Sequence, residues 1–165
     1  TLTVPAARVA VDYVPDVLAV SGMGPKGAQI AIFDRRAEGD TKPLRVIAGP
    51  HAQPLGGVRV GFDIHPNTGM ILLSVPVGEQ TPNGLPLLAS DDSFVAVWSI
   101  YDDGDVAPRW RIGGPKGVLR NPRGVAVDEK HKTLLVSDKY LNGVVTFSFP
   151  EMFEPIASPR NTSSH

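Results

Sequence analysis

Gly-Pro-Lys-Gly occurs twice, at 24–27 and 114–117. It is the spacing in this chain that best sets a cation among freely oriented backbone N–H groups, an arrangement suited to an anion. It is neither a P-loop nor a dinucleotide fingerprint, because the required spacing and following helix are missing, and turn geometry alone accounts for it. Asp102, Asp103 and Asp105 in "YDDGD" offer oxygen ligands for a hard cation. The matching loop "RAEGD" has fewer acids, so a solvated turn is the expectation there. Asp12, Asp63 and Asp128 each close an apolar run, where Asx-turn bonding explains them. His51, His65, His131 and His165 show no metal spacing such as His-x-x-x-His, and all are expected in loops or the tail. With no cysteine, disulfides, thiolate chemistry and Cys-ligated metal centres are excluded. No Gly-x-Ser-x-Gly elbow appears, and nothing points to an acid–base pair. Catalysis by this chain alone is not expected.

The elements that position these groups follow from composition and pattern. Of 165 residues, 42% are hydrophobic and 20% charged, with a formal net charge of −1. That is a globular composition, sufficient for one domain with a core or for a piece of a larger one. A nucleic-acid groove or an anionic membrane surface would favour a basic excess, and none is present. No apolar run approaches the ~20 residues of a membrane-spanning helix. The first residue is Thr1, with no basic segment followed by an apolar one, so the expectation is a removed leader or a fragment of something longer. Seventeen Gly and 16 Pro punctuate the chain and leave little room for helices. The longest stretches free of both, Leu87–Asp103 and Val125–Asn142, carry β-branched and aromatic clusters rather than a helical stripe. The chain reads as all-β.

It also repeats. "VAVD" at 125–128 matches "VAVD" at 9–12, and "LLVS" at 134–137 then matches "LAVS" at 18–21 without a gap. "VGFD" at 60–63 and "LLS" at 72–74 form a third copy. A shift of 65 residues lays Ala31–Asp63 on Ala96–Asp128, with Gly39/Gly104, Asp40/Asp105, Ile47/Ile112 and Gly49/Gly114 among the identities. Each unit accommodates up to four short strands joined by Gly/Asp/Asn/Pro loops. "VLAV", "MILL" and "TLLV" are apolar on both faces, as strands covered on both sides must be. The expected fold is therefore a partial β-propeller of about three four-stranded antiparallel blades, half of a six- to eight-bladed ring. The expected boundaries are a latch strand at 1–6, blades at 7–48, 49–112 and 113–150 (the last incomplete), and a flexible tail at 151–165. A solenoid is the structural alternative, though its strands would run parallel with shorter periods.

"NPRGVAVDEKHKTLLVSDKYLNGVVTFS" resembles an NHL-type propeller repeat: Pro-x-Gly-Val-Ala-Val-Asp, then Leu-x-Val-Ser-Asp, then Val-x-x-Phe. "DGDVAPRWRIGGP" is similar to the blade connection of bacterial propellers of that group. The likeness covers most of residues 7–149. It implies an architecture shared by binding scaffolds, lactonases and lyases, so it does not select an activity. Lactonase-like members hold calcium in the central channel with Glu, Asn and Asp from several blades. This chain would supply only half such a ring, with Asp138 and Asn142 nearest the channel rim.

In antiparallel blades, loops 22–27, 49–57, 76–92, 113–122 and 138–142 emerge on one rim, the longest being 76–92. Long loops on rigid scaffolds are where binding resides. The candidate binding residues on this rim are Lys26, His51, Glu79, Asp91, Lys116 and Asp138. Phe33, Trp98 and Phe147 share one strand position and are expected in the core, while Tyr101 and Trp110 are the aromatic candidates for an exposed contact surface. Three blades leave two flanks, with apolar end faces that favour association. "TLTV" at 1–4 precedes the first strand where a preceding blade's outer strand would sit, and a head-to-tail pair of chains would close six blades. The expected function is a non-enzymatic scaffold or binding module completed by a protein partner or a second copy, without cofactor and without nucleic acid. Half of a calcium-dependent lactonase- or lyase-type enzyme is the alternative. The processed-looking ends and the bacterial likeness lean towards an extracytoplasmic location, with the cytoplasm left open.

Overall fold

Runs of β-branched and aromatic residues separated by Gly/Pro turns form eleven strands in the described residues and no α-helix. The computed structural model describes residues 16–25, 27–52, 61–77 and 90–155, together with the backbone of Ala6–Val11. The first sheet takes β1 (Ala6–Val11), β2 (Val17–Gly24), β3 (Gly27–Asp34) and β4 (Arg45–Ala48) in that order. The second takes β5 (Phe62–His65), β6 (Met70–Val75), β7 (Phe94–Ser99) and β8 (Trp110–Gly113). The third has three strands, β9 (Pro122–Asp128), β10 (Thr133–Asp138) and β11 (Gly143–Ser148). All strand neighbours are antiparallel and consecutive in sequence. The protein is thus an all-β assembly of three antiparallel meanders.

The repeated serines mark one register. Ser21 faces Ile30, Ser74 faces Val95 and Ser137 faces Val144 across the second and third strands of the three sheets. The repeated glycines also share a backbone state: Gly39 and Gly104 have φ of 59° and 78°, and Gly49 and Gly114 have φ of 134° and 91°. Glycine adopts this left-handed range without the Cβ clash that other residues meet, so those identities record turn geometry.

Packing explains why strands such as β6 and β7 are apolar on both faces. One face of the second sheet, with Ile71, Leu73, Ala96 and Trp98, packs with Ala19, Ile30, Ile32 and Ile47 of the first. Its other face, with Met70, Leu72, Val95 and Val97, packs with Leu134 and Val136 of the third. Trp98 is fully buried, and its indole N–H donates to the Val106 carbonyl at 3.1 Å, which satisfies the polar end of an otherwise apolar side chain. The first strands of the three sheets, β1, β5 and β9, are neighbours, β5 lying beside both β1 and β9. β5 and β9 approach so closely that a Cβ on Gly61 would lie 2.6 Å from the Arg123 carbonyl oxygen. The Gly61 N–H donates to that same oxygen, and the buried Ser74 hydroxyl reaches it at 3.1 Å.

Three expectations require correction. Residues 151–155 do not begin a flexible tail: Pro150–Phe153 is a short 3₁₀ helix whose Met152 is fully buried in the cluster between the second and third sheets. His65 is not in a loop: it ends β5, is buried, and stacks edge-on against Phe153 at 5.0 Å. Nor is the outer face of the third sheet strongly apolar. Alternation sets Gly124, Ala126, Thr133, Leu135, Ser137, Val144, Thr146 and Ser148 opposite the packed side, a face of small and hydroxyl-bearing residues. The described residues contain no helix long and apolar enough to cross a membrane.

Candidate interaction surface

Three loops meet at one end of the second and third sheets, and Asp138 joins two of them. This residue ends β10 and is buried. Its Oδ2 accepts the N–H groups of Arg120 (2.7 Å) and Asn121 (2.9 Å), and its Oδ1 accepts those of Tyr140 (2.9 Å) and Leu141 (3.1 Å). Burial pushes the carboxyl pKa up, but the four backbone donors outweigh it and hold the group below the usual carboxylate range. Arg120 extends the connection. Its Nε lies 3.0 Å from Asp91 Oδ1, its guanidinium donates to the Gly117 and Leu119 carbonyls at 2.7 and 3.1 Å, and its own carbonyl accepts from Ser90 N and Ser93 Oγ at 3.0 and 2.9 Å. Segments 90–93, 117–121 and 138–141 are therefore one hydrogen-bonded platform.

The rim candidates fall into distinct places. Asp91 and Asp138 are brought together through Arg120, and Lys116 is exposed in the adjoining turn with φ of 71°. Asp138 is a structural carboxylate, since both oxygens are occupied by backbone donors. Lys26 and Glu79 lie outside the described residues. His51 stands apart from the platform: its Nδ1 is 2.7 Å from Asp105 Oδ2.

That contact belongs to a clasp between the first two sheets, where a solvated turn is expected from the sequence. Asp105 Oδ1 accepts from His51 N at 2.6 Å and Ala52 N at 3.1 Å. Asp103 accepts from Val46 N at 2.9 Å, and Gly104 forms an isolated parallel bridge with Ile47 of β4. Asp102 is fully buried and holds Arg109 by two bonds of 2.6 and 3.0 Å. Desolvation raises the Asp105 pKa, but the His51 side chain and the His51 and Ala52 N–H groups lower it by more. Asp128 is likewise lowered, chiefly by the His131 side chain, whose Nδ1 lies 2.6 Å away. The acids of "YDDGD" thus join sheets by accepting hydrogen bonds.

The exposed apolar surface also differs from expectation. Trp110 is half-buried, edge-on to Phe149 at 5.3 Å, and Tyr101 is half-buried beneath the Arg45 guanidinium. Both serve contacts between units rather than a free surface. Among the described residues, four of the six exposed large apolar residues lie at the platform and the third sheet, Val118 (51% exposed), Tyr140 (67%), Leu141 (44%) and Val144 (64%), while Met23 and Leu44 lie in and beside the first sheet. Residue type alone did not single out those four, although their place in or beside the unit expected from the sequence to be incomplete was a usable signal. Among the described residues, no three His, Asp or Glu side chains converge as a metal site would require. No family model, curated protein or solved structure matches the chain.

Proposed function

We propose that this chain is an arc of β-propeller blades that works as a non-enzymatic assembly module, completed through its flanks by a second copy of itself or another protein. The observation that carries this reading is the stacking order. The middle sheet buries both faces, one against each neighbour, while the first strands of the sheets run side by side. That is how blades associate in a ring, and three such units form an arc rather than a closed circle. The resemblance of 121–148 to an NHL-type repeat supports the same architecture. The polar platform around Asp138 and Arg120 supplies a rigid rim at the flank, and the exposed Tyr140, Leu141 and Val118 supply its contact residues, since aromatic and aliphatic anchors carry most interface energy.

Absolute mass by light scattering behind size exclusion tests the reading. Self-association predicts a mass near twice 17.6 kDa. A monomer at every concentration, with no partner of fixed stoichiometry, refutes it.

A further inference from the structure

The pairing of β9 with β10 contains a bulge. Ser137 pairs with Gly124 and Asp138 with Pro122, so Arg123 is left over on β9 as the extra residue. The first sheet repeats this feature at the same place: Ser21 pairs with Arg8 and Gly22 with Ala6, which leaves Ala7. The backbone device therefore works with alanine, and it does not require the arginine at 123. Around the bulge the Arg123 backbone meets the second sheet, where its carbonyl accepts from Gly61 N and Ser74 Oγ. Bulges re-aim side chains and are over-represented beside functional sites.

The side chain at this bulge stands out from the other arginines. Arg35, Arg36, Arg109 and Arg120 pair with carboxylates, and Arg45 and Arg111 lie over aromatic rings. Arg123 has neither kind of partner among the described residues, although it is half-buried, and its Nε is enclosed without an acceptor. The acids of the platform do not answer it: Asp138 is taken up by four backbone N–H groups and Asp91 by Arg120. Two residues earlier, Asn121 is 6% exposed, and its Oδ1 is likewise enclosed and unpartnered. A buried donor or acceptor left without a partner is costly and calls for an explanation. The two Cα atoms stand at most ~7 Å apart along the chain, so one small molecule reaches both side chains. A guanidinium selects an oxyanion, whereas Asn121 Oδ1 accepts only from a group with a hydrogen to give. Hydrogen phosphate is the simplest species with both. We infer that residues 121–123, at the entry to β9, bind a small oxyanion that retains an O–H group, its charged oxygens on the Arg123 guanidinium and its hydroxyl donating to Asn121 Oδ1. This site does not rest on the assembly reading.

Isothermal titration of the full chain with inorganic phosphate, at neutral pH and fixed ionic strength, tests the inference. Sulfate, with the same tetrahedral oxygens and no O–H group at that pH, is the comparison. Saturable binding of one phosphate per chain is expected, with sulfate about tenfold weaker for want of one hydrogen bond. Arg123→Met, similar in length and uncharged, is expected to lose the binding, and Asn121→Ala to bring phosphate down to the sulfate level. Urea denaturation adds a readout that a merely structural arginine would not give. In buffer free of phosphate and sulfate, Arg123→Met is expected to be no less stable than wild type, because it removes an uncompensated cation. Added phosphate is expected to stabilise wild type alone. Absence of saturable phosphate binding, binding retained by Arg123→Met, sulfate bound as tightly as phosphate, or an Arg123→Met chain less stable than wild type without these anions would each overturn the inference.

Discussion

Replacing Asp138 by alanine removes one side chain and four acceptor contacts together. The carboxylate receives N–H groups from Arg120, Asn121, Tyr140 and Leu141 at 2.7–3.1 Å. Tyr140 and Leu141 are exposed, so water can replace the carboxylate for their N–H groups, but Asn121 is buried and Arg120 half-buried. A hydrogen bond to a charged group is worth about 1.5–3 kcal/mol, and a buried donor left without a partner costs about 1–3 kcal/mol. With the two interior donors dominant, Asp138→Ala is expected to lower unfolding stability by about 2–4 kcal/mol at neutral pH. The sign of the pH dependence follows from the lowered pKa of the folded carboxyl. The stabilisation is fully present above the unfolded-state value near ~3.9 and is lost as pH falls through the lower folded value. Urea denaturation of wild type and variant at neutral pH and near pH 3 measures both quantities. A difference below about 0.5 kcal/mol at neutral pH, within the range of an ordinary surface substitution, would refute the assignment of Asp138 as the loop anchor. A difference that does not shrink in acid would refute the role of its charge.

Gly61→Ala is expected to destabilise by roughly 1–3 kcal/mol, because the added Cβ would meet backbone of β9 at 2.6–2.8 Å; an unchanged denaturation midpoint would show that β5 and β9 are not pressed together. Asp102→Ala leaves the largely buried Arg109 guanidinium without its carboxylate and is expected to cost about 3 kcal/mol. The double variant Asp102→Ala/Arg109→Met should recover part of that loss in the same assay, and a double variant no more stable than the single would contradict the pairing.

Much of the strand framework was legible in the sequence because strand formation is a short-range matter. "MILLSV" and "TLLVSD" are apolar or β-branched and bounded by turn residues, and they become β6 and β10. The repeat identities Gly39/Gly104 and Gly49/Gly114 reappear as shared positive φ, since a left-handed turn imposes the same demand wherever it recurs. The candidate surface was less legible. The rim loops led to Asp91 and Asp138, but Arg120, which connects them, lies in the middle of a loop with no periodic signal. Tertiary structure decided which polar groups are buried and which apolar groups are not. Asp102 reads as part of an acidic turn, yet the fold encloses it with Arg109. Asp105 joins residues 51 and 52 from more than fifty positions away. Val144 has the residue type of a core strand and is exposed because it lies on the face of the third sheet turned away from the second, which nothing covers among the described residues. Local pattern specifies a strand and its two faces; what covers each face depends on how whole sheets dock, and that docking brings together residues distant in the chain.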